Sequence, residues 1–350
     1  MACVKLGSYT IGHGYPPFIV AEAGINHNGE IEKAFEMITV AKKAGADAVK
    51  FQTFKTEEFV GDKNQMFTYK SQGKEITESM FELHKRHEFS REEWFKIKKK
   101  CDEEKIMFLS TAQNRSDLDL LIELDIPAIK VGSDDFTNLP LLKDYATTGL
   151  PIIASCGMSD LAEVYESLST IGSLDGYPTI LLLTTSQYPT PPEDVNLRKL
   201  GTLSRVFPMI PLGFSDHTQD HLASSLAIAL GACMFEKHFT LNRNMHGPDH
   251  WFAEDPSSMK EWINSIRTSF IMMGSPIIRA TTSENNMKTI ARRSIVAIRD
   301  IVEGEILGKS NIGLRRPGNG LAPKFFEQVL GLKATRRISK GNLIKFGDFK

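Results

Sequence analysis

Eight short apolar runs recur along the first 240 residues, each followed by a stretch long enough to form a helix. They are "PFIVAEAG" (17–24), "DAVKFQTF" (47–54), "IMFLSTA" (106–112), "PAIKVGS" (127–133), "PIIASCG" (151–157), "TILLLTT" (179–185), "IPLGFSD" (210–216) and "CMFEKHFT" (233–240). Between them lie amphipathic segments such as "EIEKAFEMITVAKKAG" (30–45), "SREEWFKIKKKCDEEK" (90–105) and "HLASSLAIALGA" (221–232). Strands alternating with helix-length crossovers build parallel sheet. Eight such units predict closure into an α/β fold of the (β/α)8 TIM barrel type. The competing solution is a doubly wound open sheet, but no G-x-G-x-x-G follows the first run, and "EAGINHNGE" has its glycines at other spacings.

The alternation stops near residue 280. "RRSIVAIRDIVEGEILGKSNIGLRRPGNGLAP" and "KATRRISKGNLIKFGDFK" read as short strands and tight glycine turns, with no long amphipathic helix. A linker is expected near 274–286, then a small β-rich domain from about 287. The predicted division is therefore a barrel over 1–280, with the linker and small domain over 281–350. At roughly 60 residues such a domain sits near the lower limit of independent stability, so it is expected to lean on another surface.

Composition narrows the function. The 350 residues are 41% hydrophobic and 24% charged, with a formal net charge of −1. A nucleic-acid partner held by a broadly basic face is not expected. Neither is a membrane span, since no run reaches about 18 apolar residues. The four cysteines, Cys3, Cys101, Cys156 and Cys233, show no C-x-x-C spacing, and the start lacks the apolar core of a signal peptide. A reduced, cytoplasmic protein is the expectation.

The chemistry should lie where barrel strands end. Those ends carry Glu22, Lys50, Gln52, Ser110, Thr111, Lys130, Ser133, Ser155, Thr185, Ser186, Ser215, Asp216, His217, Glu236 and His238. Side chains two apart in a strand share a face, so Lys50 pairs with Gln52 and Glu236 with His238. Two lysines among hydroxyls suit a small, highly anionic ligand, and the lack of a G-x-x-x-x-G-K-[ST] loop favours a carboxylated phosphate such as phosphoenolpyruvate over a nucleotide. His217 and His238 close adjacent strands, spaced about 4.8 Å apart, so their rings can share one divalent cation. Two neutral imidazoles suit Mn2+, Fe2+, Co2+, Zn2+ or Mg2+ acting as a Lewis acid. Taken singly, each histidine equally suits a structural hydrogen bond, and His27, Asn26 and Asn28 read as turn residues. Glu22 and Glu236 are both candidates for an acid or base, Glu236 equally for supporting a metal ligand, and Asp249 in "HGPDHW" suits a sugar-hydroxyl ligand or an Asx turn alike.

"AEAGINHNG", "AGADAVKFQT", "STA", "IKVGS", "YPTPPEDVNL", "GFSDHT", "EKHFTL", "GPDH" and "RRPGNGLAP" occur in this order. Together they resemble the sialic acid synthase family over nearly the whole chain. The resemblance implies a barrel followed by an antifreeze-like (SAF, β-clip) domain. It also implies a domain-swapped homodimer and condensation of phosphoenolpyruvate with N-acetylmannosamine or a related amino sugar, giving a nine-carbon ulosonic acid and phosphate. Residue by residue, it implies phosphoenolpyruvate contacts at Lys50, Thr111, Lys130, Ser133, Ser155, Ser186 and Ser215, and metal ligands at His217 and His238, with Mn2+ expected and Mg2+ or Co2+ as alternatives. Acceptor contacts are implied at Gln52, Tyr188, Asp249 and, from the other subunit, Arg316. Asp135 stands where many members carry glutamate.

Three departures from the family pattern stand out, one of them the insert over 66–89, which is less typical in detail. Leu183 and Thr184 stand where many members have His or Gln followed by Cys, and Trp251 and Phe252 follow "GPDH" where Lys or Ser is common. The two aromatics are expected to form an apolar wall suited to a deoxygenated diacetamido sugar of the legionaminic or pseudaminic type. The mechanism expected is attack of the enol C3 on the sugar aldehyde activated by the metal, with Lys50 and Lys130 holding the donor. Water then adds at C2 with help from Glu22 or Glu236. The rival reading is a related synthase making a seven- or eight-carbon keto acid from a phosphorylated sugar; the "RRPGNGLAP" domain separates the two.

Overall fold

A computed structural model describes residues 2–350, which divide into two units, one running through Gly274 and one over Ser275–Lys350. In the first unit, eight parallel strands close into a barrel: Phe18–Gly24, Ala48–Thr53, Met107–Ala112, Ile129–Val131, Ile152–Ser155, Thr179–Leu183, Leu212–Asp216 and Met234–His238. The last pairs with the first, His238 opposite Glu22, and completes the ring. Each expected run contains one strand; the fourth shrinks to three residues.

Period two along these strands sorts the barrel into an outside and an inside. Outward residues such as Ile19, Val49, Phe51, Phe108, Ile152, Leu181 and Phe235 pack under the helices in one large apolar cluster. Inward residues begin apolar and end polar. Phe18, Val20, Ala48, Leu109, Ala128, Ile153, Leu182 and Met234 form a separate inner cluster. Two residues further along the same faces come Glu22, Lys50, Thr111, Lys130, Ser155 and Glu236. A dry floor thus lies beneath a polar mouth within each strand. The floor is tight at Gly213, where a Cβ would lie 2.4 Å from Leu182 Cδ2 and 2.5 Å from the Met234 carbonyl oxygen.

A hairpin that the periodicity did not reveal, Cys3–Leu6 with Tyr9–Gly12, adds Val4, Leu6 and Ile11 to the inner cluster and closes that floor. The surrounding helices follow local rules. Ile31–Ala44 buries Ala34, Met37, Ile38 and Ala41 and stops at Gly45 in the left-handed conformation (φ 100°). Arg91–Glu104 starts with a Ser90–Glu93 capping box and buries Trp94, Ile97 and Cys101. Among the described residues no helix is long and apolar enough to cross a membrane.

The second unit opens with a helix, Thr282–Ala291, where the sequence suggested linker and no helix. Its cause is a capping box: the Thr281 N–H donates to Glu284 Oε2 at 2.7 Å, and the Glu284 N–H to Thr281 Oγ1 at 3.3 Å. No residue of this helix is buried. Ser294–Ala297 then pairs antiparallel with Ile312–Arg315, and isolated bridges such as Ile301–Ile338 and Ala334–Phe349 fold the rest around Ile295, Ala297, Leu307, Ile312, Ile338 and Ile344.

Candidate active site

The polar mouth is a cavity of about 360 Å³. Of the sixteen residues assigned a site role from sequence, fourteen line it: Glu22, Lys50, Gln52, Thr111, Lys130, Ser133, Ser155, Ser186, Tyr188, Ser215, His217, Glu236, His238 and Asp249. Asp135 does not. Its Oδ1 accepts from Asn138 Nδ2 at 2.9 Å, and its neighbour Asp134 lines the cavity instead. Strand alternation ends at Val131, so it gives no rule for which aspartate turns inward. Arg316 belongs to the second unit and is exposed. Gln113, Gly132, Asp134, Met158 and Thr184 also line the cavity; none was expected as a site residue, and Thr184 figured only as a departure from the family pattern. All five follow or sit within a strand-end loop, where their spacing carries no periodic signal.

Register brings the charges together. Glu22 lies opposite Lys50 across the first two strands, and Thr111 opposite Lys130 across the third and fourth. Lys50 Nζ is 2.6 Å from Glu22 Oε2 and 3.8 Å from Glu236 Oε2; Lys130 Nζ is 3.9 Å from Glu236 Oε1. Lys130 also donates to Ser155 Oγ at 2.8 Å, Lys50 to Thr111 Oγ1 at 3.3 Å, and Ser215 Oγ to Glu236 Oε1 at 3.2 Å. All four charged groups are buried. Burial pushes Glu22 up to about 7, against the pull of Lys50 and with the help of Glu236. Burial would raise Glu236 as well, but Lys130 and Lys50 outweigh it and hold its carboxyl below the usual range. Lys130 is drawn down by burial, whereas Lys50, subject to the same penalty, is held up by Glu22 and Glu236. One carboxyl is thus poised to exchange a proton near neutrality while its neighbour stays ionised.

The two histidines meet. Their ring centroids are 5.5 Å apart, and Tyr188 stacks 4.2 Å from the ring of His217. Nδ1 of His217 donates to the Thr185 carbonyl at 2.7 Å, which leaves Nε2 with its lone pair. Nδ1 of His238 is buried with no hydrogen-bond partner and lies 3.7 Å from Asp249 Oδ2. Burial lowers both rings, His217 to about 4, so both are neutral at pH 7. A fixed tautomer, an orphaned buried nitrogen and a carboxylate alongside are a donor set that fits a divalent cation.

Trp251 and Phe252 do not wall the cavity. Phe252 is buried behind Tyr188 and His238, with centroids 5.2 and 5.3 Å away, and Trp251 packs on Phe252 beneath the ammonium of Lys70. Lys70 lies in a hairpin, Met66–Ser71 with Lys74–Ser79, that holds the loop carrying Asp249: Gln72 Nε2 donates to the Asn244 carbonyl, and the Gly247 N–H to Ser71 Oγ. Asn28 grips the same loop from the other side, donating to the His246 carbonyl at 2.8 Å and standing 3.0 Å from His250 Nε2. The residues read as a simple turn therefore tie the first strand's loop to the eighth's.

Comparison with known proteins gives this geometry a family. Residues 37–277 match the NeuB family model, and residues 292–350 match the SAF domain. The chain is 41% identical to an uncharacterised protein of Methanocaldococcus jannaschii, over 99% of both chains. It is 37% identical to the N,N'-diacetyllegionaminic acid synthase of Legionella pneumophila, over 93% of each. Among solved structures, the N-acetylneuraminic acid synthetase of Leptospira borgpetersenii superposes with a TM-score of 0.73 at 30% identity, over 81% of this chain and 94% of that one. On the strength of the family model and these full-length relatives, the chain belongs to the NeuB family and carries a SAF domain at its C-terminal end.

Proposed function

We propose that this enzyme joins C3 of phosphoenolpyruvate to the aldehyde carbon of an open-chain 2-acetamido sugar, releasing phosphate and forming a nine-carbon ulosonic acid. The observation that carries this reading is the pair of buried lysines, Lys50 and Lys130, which flank Glu236 at 3.8 and 3.9 Å while Lys50 also holds Glu22 at 2.6 Å. An entering carboxylate and phosphate take over both ammonium groups, while Thr111, Ser133, Ser155, Ser186 and Ser215 orient the oxygens. Donor and acceptor held side by side gain much of their reactivity from positioning alone.

His217 and His238 would hold the divalent cation, with Mn2+ preferred over Mg2+ or Co2+ and Asp249 close enough to assist. Among the described residues no group of three His, Cys, Asp or Glu side chains is arranged to hold a metal by itself, so the two histidines would share the cation with solvent or substrate oxygens. A cation bound there supplies Lewis acidity toward a carbonyl oxygen. The chain's own groups do the rest. As the new C–C bond forms, electron density leaves the donor's C2, and water adds there. Glu22, poised near 7, accepts the proton from that water. The tetrahedral carbon then collapses to a ketone as its C–O bond to phosphate breaks. The aldehyde oxygen ends as a hydroxyl by taking up the proton that water gave to Glu22, the second proton of that water leaves with the phosphate, and one water is consumed for each phosphate released.

The acceptor proposed is a deoxygenated diacetamido sugar of the legionaminic type. The name of the Legionella relative supports this, as do Met158 and Tyr188, apolar surfaces at the cavity that are 73% and 45% exposed. Gln52, Asp249 and Arg316 are assigned to its polar groups, Arg316 arriving from a second copy in a homodimer. The bare helix Thr282–Ala291, with Met287 and Ile290 exposed, supports such a partner. The test is phosphate release from phosphoenolpyruvate over a panel of acceptors, with product mass, before and after chelation. Preference for the diacetamido sugar and loss of turnover on chelation support the reading. Preference for N-acetylmannosamine ends the acceptor assignment, and no phosphate release with any amino sugar ends the reaction assignment.

A further inference from the structure

Behind the two histidines, on the outer face of the last two barrel strands, lies a second group of charges that the reaction does not use. Asp216 and Lys237 sit opposite one another in register, both buried. Lys237 Nζ is 3.2 Å from Asp216 Oδ2 and 3.7 Å from Glu254 Oε1, and donates to the carbonyls of Thr218 at 2.6 Å and Asp220 at 3.2 Å. Asp216 accepts from the Thr218 N–H and hydroxyl, Ser224 and Trp262. Glu254 accepts from Arg243, and its backbone N–H donates to the His238 carbonyl at 2.8 Å. A buried lysine between two carboxylates is a poor source of stability, because desolvation offsets most of the attraction.

The placement says what it does. The seventh strand ends at Asp216, so His217 stands one residue beyond the ladder and depends on loop contacts for its position. Thr218 follows His217 directly, and Lys237 precedes His238 directly. A single ammonium therefore ties the chain leaving one imidazole to the residue beside the other. We propose that Lys237 is a positioning residue that sets His217 and His238 at the separation needed to share one divalent cation, an inference that rests on reading those histidines as the cation's ligands.

Mn2+ titration by calorimetry, on the full chain without substrate, tests it. Lys237→Met removes the tie, and Lys237→Gln keeps an amide donor and polarity should the first fold poorly. Both should weaken Mn2+ binding about 10- to 100-fold, the scale typical for groups that orient metal ligands, with far-UV circular dichroism unchanged. Glu254→Gln is the control for damage alone. It removes the charge facing Lys237 and Arg243 but leaves the ammonium on the Thr218 and Asp220 carbonyls, so it should lower the thermal midpoint yet keep Mn2+ affinity within about threefold. Unchanged affinity in folded Lys237 variants overturns the proposal, as does an equal loss in Glu254→Gln at an equal fall in midpoint. No Mn2+ binding by the unaltered protein overturns the histidine reading itself, a result distinct from either.

Discussion

Gly157 is the smallest element of the proposed donor site and the most informative to change. It follows the fifth strand, and its φ lies outside the left-handed region, so alanine meets no backbone penalty there. The penalty is local. An alanine Cβ would lie 2.5 Å from Ser186 Oγ, 2.7 Å from Ser133 Oγ and 2.9 Å from Thr184 Cγ2, all closer than side chains tolerate. Ser133 Oγ also accepts the Gly157 N–H at 3.0 Å, so the two hydroxyls and the glycine form one small cradle. Gly157→Ala must swing both hydroxyls aside. A hydrogen bond to a charged group is worth about 1.5–3 kcal/mol, so losing the equivalent of one predicts a roughly 10- to 150-fold rise in KM for phosphoenolpyruvate. These bonds hold the donor in ground and transition states alike, so kcat should change far less. Initial rates of phosphate release at saturating acceptor, with circular dichroism as a control, give the answer. A KM for phosphoenolpyruvate within about twofold of the parent refutes the donor cradle, and a rise in acceptor KM instead assigns the hydroxyls to the sugar.

Lys130→Met should reduce kcat/KM for phosphoenolpyruvate by at least about 100-fold, because it removes a donor ammonium and leaves Glu236 with one fewer counter-charge; steady-state kinetics at varied donor check this. Acid should destabilise the barrel through His27, which is fully buried, stacks 4.2 Å from Phe89, and is held down at about 3 by burial, with His87 and His250 adding to the effect. The unfolded chain takes up this proton below about pH 6.5 and the folded one does not, so stability falls with pH by about 1.4 kcal/mol per unit, or about 2 kcal/mol between pH 7 and pH 5. His27→Asn should remove about that much of the loss in urea unfolding followed by the fluorescence of Trp94, Trp251 and Trp262, all in the barrel unit; an unchanged pH dependence refutes it.

The barrel was legible because strand and helix periods differ and because every strand run is bounded by glycine, proline or a charged turn. The site was legible for one further reason: within strands, position parity fixes direction, so Lys50, Lys130, Glu236 and His238 are aimed by the same rule that buries Phe51 and Phe235. Asp216 counts among the strand-end groups in sequence, yet it pairs with Lys237 on the outer face, and Glu254, Thr218 and Asp220 close around the pair from loops that carry no parity. Where strands give way to loops, the rule fails, as with Asp135 against Asp134. The strand Cys3–Leu6 has no helix-length stretch beside it to set it off, and the helix Thr282–Ala291 opens in "TTSENN", a polar run that reads as linker although Thr281 and Glu284 have capping-box spacing. Trp251 and Phe252 illustrate a different limit: sequence proximity to Asp249 placed them near the mouth, yet tertiary packing turned one behind Tyr188 and the other beneath Lys70.

The account turns on His217 and His238 acting together on one ion beside the lysine pair. Anomalous diffraction at the manganese edge, from crystals grown with MnCl2 and phosphoenolpyruvate, tests that most directly. The prediction is one peak within coordination distance of a nitrogen of each ring, with the donor's density against Lys50 and Lys130. A peak touching only one of the rings, or manganese bound elsewhere while the donor occupies the cavity, would contradict it.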